Sequence, residues 1–370
     1  MFSSPKMTSD CESYENDYAP DISPFHKFLN VRMLSISHRL SHPMTTLIEA
    51  AKTGNVSQVQ TLLDTKVDIE SKDHEGKTAL TRAAEYGHTS CVQLLIDARA
   101  NVEAAGNDLM TPLMWTGYYG FTACAQILLD AKADTEVQEK SGYNPLTWAA
   151  FYGHLECLQL LIDAKADLEA GNHHNDTALI MTAMNGYTEC LQLLIDAKSD
   201  IETKNVYGNS ALMIASFNDQ IACVQLLIDA KADLEATNNE GKTALMSTSE
   251  NNYTSPTLLL IDTKADLEAK NDDGETALIS AVREGALECT RLLINAKAHV
   301  EARDNEGNTA LILAMWRGKM ECAQLLADAK ADVEASNVRG GTALMTAAQQ
   351  GHTACIQLLL DNIKSGTPAR

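Results

Sequence analysis

The sequence predicts an all-α solenoid of helix-turn-helix units joined by hairpin-like loops. Two observations predict it: a cysteine that recurs every 33 residues, and a triplet, first seen as Thr78-Ala79-Leu80, that returns at the same period as far as Thr342. Similarity at a fixed period is the signature of a repeat architecture. Ten units fit between residues 45 and 363 without an insertion. The recurring cysteines are Cys91, Cys124, Cys157, Cys190, Cys223, Cys289, Cys322 and Cys355, and Pro256 takes the missing place.

The first helix of each unit has clear start and stop signals. Thr78 is a favourable N-cap, and Pro112 and Pro145 fall at the first helical position, where a missing N–H costs nothing. The helix is expected to end at Gly87 or its equivalent, a position that favours left-handed backbone.

The second helix is expected to run from about Ser90 to Ala98, with apolar residues recurring at helical spacing. Two units carry Asp219 and Asn252 in place of the glycine between the helices, and these residue types tolerate left-handed backbone better than most. A polar stretch with a turn glycine links one unit to the next.

These motifs resemble the ankyrin repeat: T-[AP]-L opens the first helix, GH precedes the second, and LL and then AD-φ-E follow. The resemblance covers about 320 of the 370 residues. It implies that the hairpin tips and the exposed side of the first helix form a recognition surface for proteins. Two departures recur. The histidine that usually follows the triplet is replaced, by Thr81 in the second unit, and Lys66, Arg99 and Lys132 stand where the family usually has glycine after the second helix. This leaves the geometry of that loop open.

Composition narrows the class of partner. The net charge of −21 argues against nucleic acid, which binds clustered Lys and Arg. No segment is apolar enough to cross a bilayer, and the N-terminus lacks the features of a signal peptide. We therefore expect a cytoplasmic or nuclear protein. We also expect it to bind no cofactor and no metal.

The chain ends are predicted to lie outside the repeats. Residues 1–44 form an N-terminal tail, in which residues 3–24 are expected to be disordered. Residues 25–40 are expected to form a helix that caps the first repeat, with a short docking segment as the alternative. Residues 364–370 form a C-terminal tail. The second helix of the last repeat has no polar outer substitution, so we expect it to be frayed, self-associating or covered by this tail, in a protein that is otherwise monomeric.

Two regular columns of residues have side chains that can form metal, redox or catalytic sites. Their even spacing along the stack argues against such a site in either column. Neighbouring cysteines are expected to lie about 8–10 Å apart, too far for a disulfide or a zinc site, so the column is interpreted as core packing. A column of glutamates from Glu70 to Glu334 is interpreted as a solvated face, with an acidic dock for a basic partner as the less favoured alternative. No nucleophile or phosphate-binding motif is present, and we expect no enzymatic activity.

The residues that vary between units indicate the binding surface. Of fourteen aromatic residues within the repeats, eight lie in the third and fourth units. Such side chains are enriched at interaction hot spots, although some are expected to pack between repeats, as Phe121 does. Trp316 and Arg317 form a lesser candidate. The predicted partner-binding residues are Met110, Trp115, Tyr118, Tyr119, Tyr143, Trp148, Phe151, Tyr152, Met181, Met184 and Phe217.

The sequence thus predicts a non-enzymatic scaffold that holds a partner protein on its concave and hairpin surface. The alternative is an adaptor that recruits machinery through the N-terminal tail while the repeats hold a client. Trp115, Trp148, Tyr119 and Tyr152 are the expected anchors. Replacing Trp115 and Trp148 by Ala is expected to abolish partner capture without lowering the melting temperature.

Overall fold

A computed structural model describes residues 46–366, with side chains as far as residue 361. Ten helix pairs occupy these residues, which confirms the predicted all-α repeat fold. The first helices are α1 (Leu47–Lys52), α3 (Ala79–Glu85), α5 (Pro112–Tyr119), α7 (Pro145–Tyr152), α9 (Ala178–Asn185), α11 (Ala211–Phe217), α13 (Ala244–Glu250), α15 (Ala277–Glu284), α17 (Ala310–Arg317) and α19 (Ala343–Gln350). The second helices are α2 (Val56–Asp64), α4 (Thr89–Asp97), α6 (Thr122–Asp130), α8 (Leu155–Asp163), α10 (Thr188–Asp196), α12 (Ile221–Asp229), α14 (Thr254–Asp262), α16 (Leu287–Asn295), α18 (Met320–Asp328) and α20 (Thr353–Gly366).

The first helices begin where the sequence predicted. The Thr78 hydroxyl accepts a hydrogen bond from the Thr81 N–H at 3.3 Å, and the equivalent bond recurs in most repeats. In the fourth repeat Asn144 takes this role and forms a capping box with Thr147. Each such cap stabilises its helix by about 1 kcal/mol.

The helix ends settle the loop geometry that the sequence left open. Asp219 and Asn252 adopt φ values of 55° and 60°, as expected for residues that replace glycine. Lys66 and Arg99, which follow second helices, also have positive φ, at 57° and 68°. These repeats therefore keep left-handed backbone without glycine, at a cost of about 1–2 kcal/mol per residue.

Each helix packs against its own partner and against the equivalent helix of the next repeat, so one apolar core runs through the stack. Leu95, Leu128 and Leu161 are fully buried at equivalent positions of successive second helices. Gly117 lets helices α5 and α7 approach closely, because a Cβ at this position would lie 2.6 Å from the Pro145 carbonyl oxygen. The core is therefore built from neighbour-to-neighbour contacts, as in other solenoids.

The last repeat differs from the others at its outer surface. Met345 is 60% exposed, whereas Ile312, its equivalent in the ninth repeat, is 1% exposed beneath the following repeat. Helix α20 continues through Gly366, beyond the predicted boundary at residue 363. Self-association at this repeat stays a prediction. The expectations for residues 1–44 lie outside the described part of the chain.

Candidate protein-binding face

The candidate site lies on the surface formed by the first helices and the loops that precede them, which we call the first-helix face. Three positions of each repeat supply most of its side chains: the residue before the N-cap, the fourth helical residue, and the residue three places further along. In the second repeat these positions hold Lys77, Arg82 and Glu85. Because every repeat has the same backbone plan, the chemistry of this face differs between repeats mainly through the side chains at these three positions.

The third and fourth repeats place a cluster of aromatic rings on this face. Tyr143 stacks on Trp148 with 4.3 Å between ring centroids, and Tyr118 lies 5.0 Å from Trp148 and 4.6 Å from Tyr152. Phe151 meets Tyr152 edge-on at 5.0 Å. We call the set Trp115, Tyr118, Tyr119, Tyr143, Trp148, Phe151 and Tyr152 the aromatic cluster.

The floor of the aromatic cluster is separate from the main core. Met110, Met114 and Trp148 are buried there, and the remaining rings cover them. Trp148 is only 7% exposed, and Met110 is 5% exposed. Because its ring fills a packed interior, replacing Trp148 is expected to lower the melting temperature, in contrast to the expectation from the sequence.

The other predicted binding residues divide by burial. Met181 is 1% exposed and belongs to the main core, so a partner does not reach it. Met184 and Phe217 are half-buried on α9 and α11 and extend an apolar surface beyond the aromatic cluster. The half-buried members of the cluster are Trp115, Tyr118, Tyr119, Tyr143, Phe151 and Tyr152.

Polar atoms of the aromatic cluster are buried as well. Burial raises the pKa of Tyr119 to about 12 and also raises the pKa of Tyr152, so both hydroxyls stay neutral at physiological pH. Among the described residues, the indole N–H groups of Trp115 and Trp148 have no hydrogen-bond partner. A buried donor left unpaired costs about 1–3 kcal/mol, so each of these two groups calls for an explanation, and a hydrogen bond to a bound partner is one.

An ionic cluster adjoins the aromatic rings in the second repeat. Lys77 lies 2.9 Å from Glu85 and 3.4 Å from Asp108, and its ammonium stands 4.0 Å from the centre of the Trp115 ring. Arg82 pairs with Glu85 at 2.8 Å. Both cations are almost fully buried, at 3% and 4% exposed.

The Arg82 guanidinium also contacts Asp73, at 2.6 Å, and Glu75, at 3.2 Å. Although burial alone would raise the pKa of Asp73, hydrogen bonds from the Lys77 N–H and the Arg82 guanidinium lower it. Arg82 likewise lowers the pKa of Glu75 against the effect of burial. The Asp73 and Glu75 carboxylates are therefore held in their charged form.

A second ionic cluster occupies the seventh and eighth repeats. Lys242 lies 3.1 Å from both Glu240 and Glu250, and Arg283 lies 3.2 Å from Glu275 and 3.0 Å from Glu284. Burial raises the pKa of Glu250, and Lys242 partly offsets this effect.

The column of glutamates, interpreted from sequence as a solvated face, turns out to link the repeats. A side-chain oxygen of Glu70 accepts the backbone N–H of Asn101 at 2.8 Å. The same bond joins each repeat to the next as far as the pair of Glu301 and Asp332, also at 2.8 Å. We call this series of eight bonds the glutamate ladder. Sequence reasoning missed it, although an unbroken glutamate beside varying neighbours was a signal.

The column of cysteines is packed as the sequence predicted. All eight thiols are free and buried, and burial raises the pKa of each, to about 11 for Cys190. Thiolate, the reactive form, is therefore suppressed.

Comparison with known proteins decides the family. A family model described as "Ankyrin repeats (3 copies)" matches residues 27–106, 102–172, 168–238, 212–304, 245–337 and 298–368. The chain belongs to the ankyrin repeat family. Ankyrin repeats are generally protein–protein interaction modules.

Solved ankyrin structures resemble this chain over part of its length. The ankyrin repeat domain of Bcl-3, described as a unique member of the IkappaB protein family, is 26% identical, with a TM-score of 0.55 over 60% of this chain and 100% of that one. The human ASB11 ankyrin repeat domain is 23% identical, with a TM-score of 0.54 over 59% of this chain and 97% of that one. A search of curated proteins found no match.

The described part of the ankyrin stack has neither a metal-binding cluster nor a membrane-spanning helix. Within residues 46–361, no group of three or more His, Cys, Asp or Glu side chains is arranged to hold a metal ion. Of the helices in the described part of the chain, none combines the length and the apolar character needed to cross a membrane.

Proposed function

We propose that this ankyrin protein is a non-enzymatic scaffold that binds a partner protein on its first-helix face, centred on the aromatic cluster. The observation that carries the proposal is the aromatic cluster itself, which is half-buried and contains two buried indole N–H groups without partners. Half-exposed aromatic side chains supply large contact areas at low entropic cost, so they dominate binding energies at interfaces.

The half-buried rings are the expected contacts, whereas Trp148 and Met110 shape the floor beneath them. Tyr118 and Phe151 occupy equivalent positions on α5 and α7. The same position is Gln349 in the tenth repeat, so the fold accepts a neutral polar residue there. The adaptor alternative depends on the N-terminal tail, which lies outside the described residues.

The test is capture of partners from cell lysate by wild type and by the double variant Tyr118→Gln/Phe151→Gln. Removing two hot-spot side chains at about 2 kcal/mol each weakens binding by roughly three orders of magnitude, so the specific partner should disappear from the eluate. Trp316→Gln tests the lesser candidate in parallel, because Trp316 holds the equivalent position in the ninth repeat and is 42% exposed. Loss of capture by this variant alone would place the binding site in the ninth repeat instead. Equal capture by the double variant and wild type would rule out the aromatic cluster as the binding site.

A further inference from the structure

We propose that the first-helix face binds a segment that is apolar in its middle and positively charged at both ends. The inference rests on the proposed function and specifies the chemistry of the partner. It follows from the way apolar and charged residues alternate along equivalent positions of the stack.

One helical position shows the alternation. In the third to sixth repeats it holds Tyr118, Phe151, Met184 and Phe217, all half-buried. The neighbouring repeats on either side carry Glu85 and Glu250 at the same position. The apolar strip therefore spans four repeats and ends at an ionic cluster on each side.

Each ionic cluster has more carboxylates than cations. In the second repeat, Lys77 and Arg82 pair with four carboxylates, Asp73, Glu75, Glu85 and Asp108. In the seventh and eighth repeats, Lys242 and Arg283 pair with four, Glu240, Glu250, Glu275 and Glu284. Lys319 stands near the second cluster, where it donates to the Glu284 carbonyl oxygen.

The paired cations of both clusters are less exposed than the outer carboxylates, so part of the negative charge faces solvent. The side chains of Glu75 and Asp108 are 48% and 38% exposed, and those of Glu240 and Glu284 are 66% and 51% exposed. A partner that lies along the apolar strip meets these carboxylates at its two ends. Basic ends complement them, whereas acidic ends are repelled.

The spacing sets the length of the segment. Five repeat steps separate the two clusters, and a step of about 8–10 Å gives roughly 40–50 Å. An extended chain covers this distance in about 12–15 residues, because it rises about 3.3 Å per residue. The partner segment is therefore an extended chain whose basic ends lie about 12–15 residues apart.

The test uses full-length protein and fluorescein-labelled synthetic peptides of 20 residues, measured by fluorescence anisotropy. One peptide has Lys and Arg at both ends and a centre rich in Leu, Phe and Tyr. A second has the same centre with Glu at both ends, and a third has the basic ends with a Gly and Ser centre. We expect the first to bind at least tenfold more tightly than either of the others in low salt, with its advantage over the second shrinking as salt rises.

Variants locate the charges that matter. Glu75→Gln/Asp108→Asn and Glu240→Gln/Glu284→Gln should each weaken binding of the basic-ended apolar peptide several-fold. Glu306→Gln, at an exposed carboxylate in the ninth repeat, should leave it unchanged. Tyr118→Gln/Phe151→Gln should abolish binding.

Four outcomes would overturn the inference. If the acidic-ended peptide binds equally well, the charge argument fails, while partner capture through the aromatic cluster can still hold. If the Gly and Ser peptide matches the apolar one, the binding is non-specific attraction. If no peptide binds, the stated chemistry is wrong. If the protein self-associates in sedimentation and Tyr118→Gln/Phe151→Gln prevents it, the occupant is a second copy of this chain.

Discussion

The third and fourth repeats and the seventh and eighth repeats share one backbone plan and differ in what they place on it. Where the former carry Tyr143 and Trp148, the latter carry Lys242 and Ser280 in the equivalent places. The first pair of repeats thereby gains a cluster of stacked rings, and the second gains partly buried ion pairs. A repeat scaffold can thus change the chemistry of its surface without changing its helices.

The two regions are also stabilised differently. Stacked rings stabilise the folded state mainly by burying apolar area, and this stabilisation depends little on pH or salt. Buried ion pairs depend on each partner keeping its charge, and a carboxylate left without its cation is costly. Substitutions at equivalent positions in the two regions should therefore give different magnitudes and different pH dependence.

The largest effect is expected for Trp148→Ala. The ring is 7% exposed and contacts Tyr143, Tyr118 and Tyr152. Its removal should lower the free energy of unfolding by about 3–5 kcal/mol, measured by urea denaturation.

The matched control for this variant is Ser280→Ala, because Ser280 is the equivalent buried residue of the eighth repeat and donates only a 3.3 Å hydrogen bond to Glu275. It should cost about 1 kcal/mol. A loss below that figure for Trp148→Ala would mean that the aromatic cluster is not a packed interior.

A smaller effect with a pH dependence is expected for Lys242→Met. The substitution leaves the Glu250 carboxylate, whose pKa is already raised by burial, with only Arg283 at 3.6 Å. The free energy of unfolding should fall by about 2 kcal/mol at pH 7. Removing the Lys242 ammonium raises the pKa of Glu250 further. The Glu250 carboxylate of the folded variant therefore becomes protonated at a higher pH than that of wild type.

The penalty should therefore shrink as the pH falls toward 4.5, the ordinary pKa of Glu250, because a protonated carboxyl needs no cation. Tyr143→Met tests the same position in the fourth repeat, where the third repeat naturally has Met110. Its cost should not change with pH between about 4.5 and 7. Parallel pH profiles for the two variants would remove the distinction between the regions.

The sequence predicted the repeats, the caps and the candidate positions, because periodicity assigns each residue to a place on its helix. Thr78 and Asp219 illustrate this, since their local chemistry alone identifies a cap and a left-handed residue. The sequence did not predict how deeply the Trp148 side chain is buried. That depth depends on how Tyr143 and Tyr152 fold over the ring, and this is a matter of tertiary packing.

The glutamate ladder was missed for a different physical reason. Its bonds join residues 31 positions apart, as between Glu136 and Asp167, so they appear only when the stagger between stacked repeats is known. Sequence alone shows the column of charges and the repulsion it implies. The backbone N–H groups that donate to these glutamates leave no trace in the sequence pattern. They turn the column of glutamates into a series of links between repeats.

The smallest difference between the two regions is expected in the glutamate ladder, which runs through both. Glu136 accepts the Asp167 N–H at 3.0 Å at the link between the third and fourth repeats, and Glu235 accepts the Asp266 N–H at 2.7 Å at the link between the sixth and seventh repeats. Glu136→Ala and Glu235→Ala should each lower the free energy of unfolding by about 1 kcal/mol, and urea denaturation should show equal losses within about 0.5 kcal/mol.

Substitution by Gln should cost less than substitution by Ala at both positions, because the amide oxygen still accepts the bond. Glu306→Ala, at a carboxylate outside the ladder, should stay within about 0.5 kcal/mol of wild type. Unequal losses at Glu136 and Glu235 would mean that the surface chemistry of a repeat alters its links to its neighbours. Equal losses would instead separate the two contributions, with the ladder holding the stack together and the first-helix face free to vary.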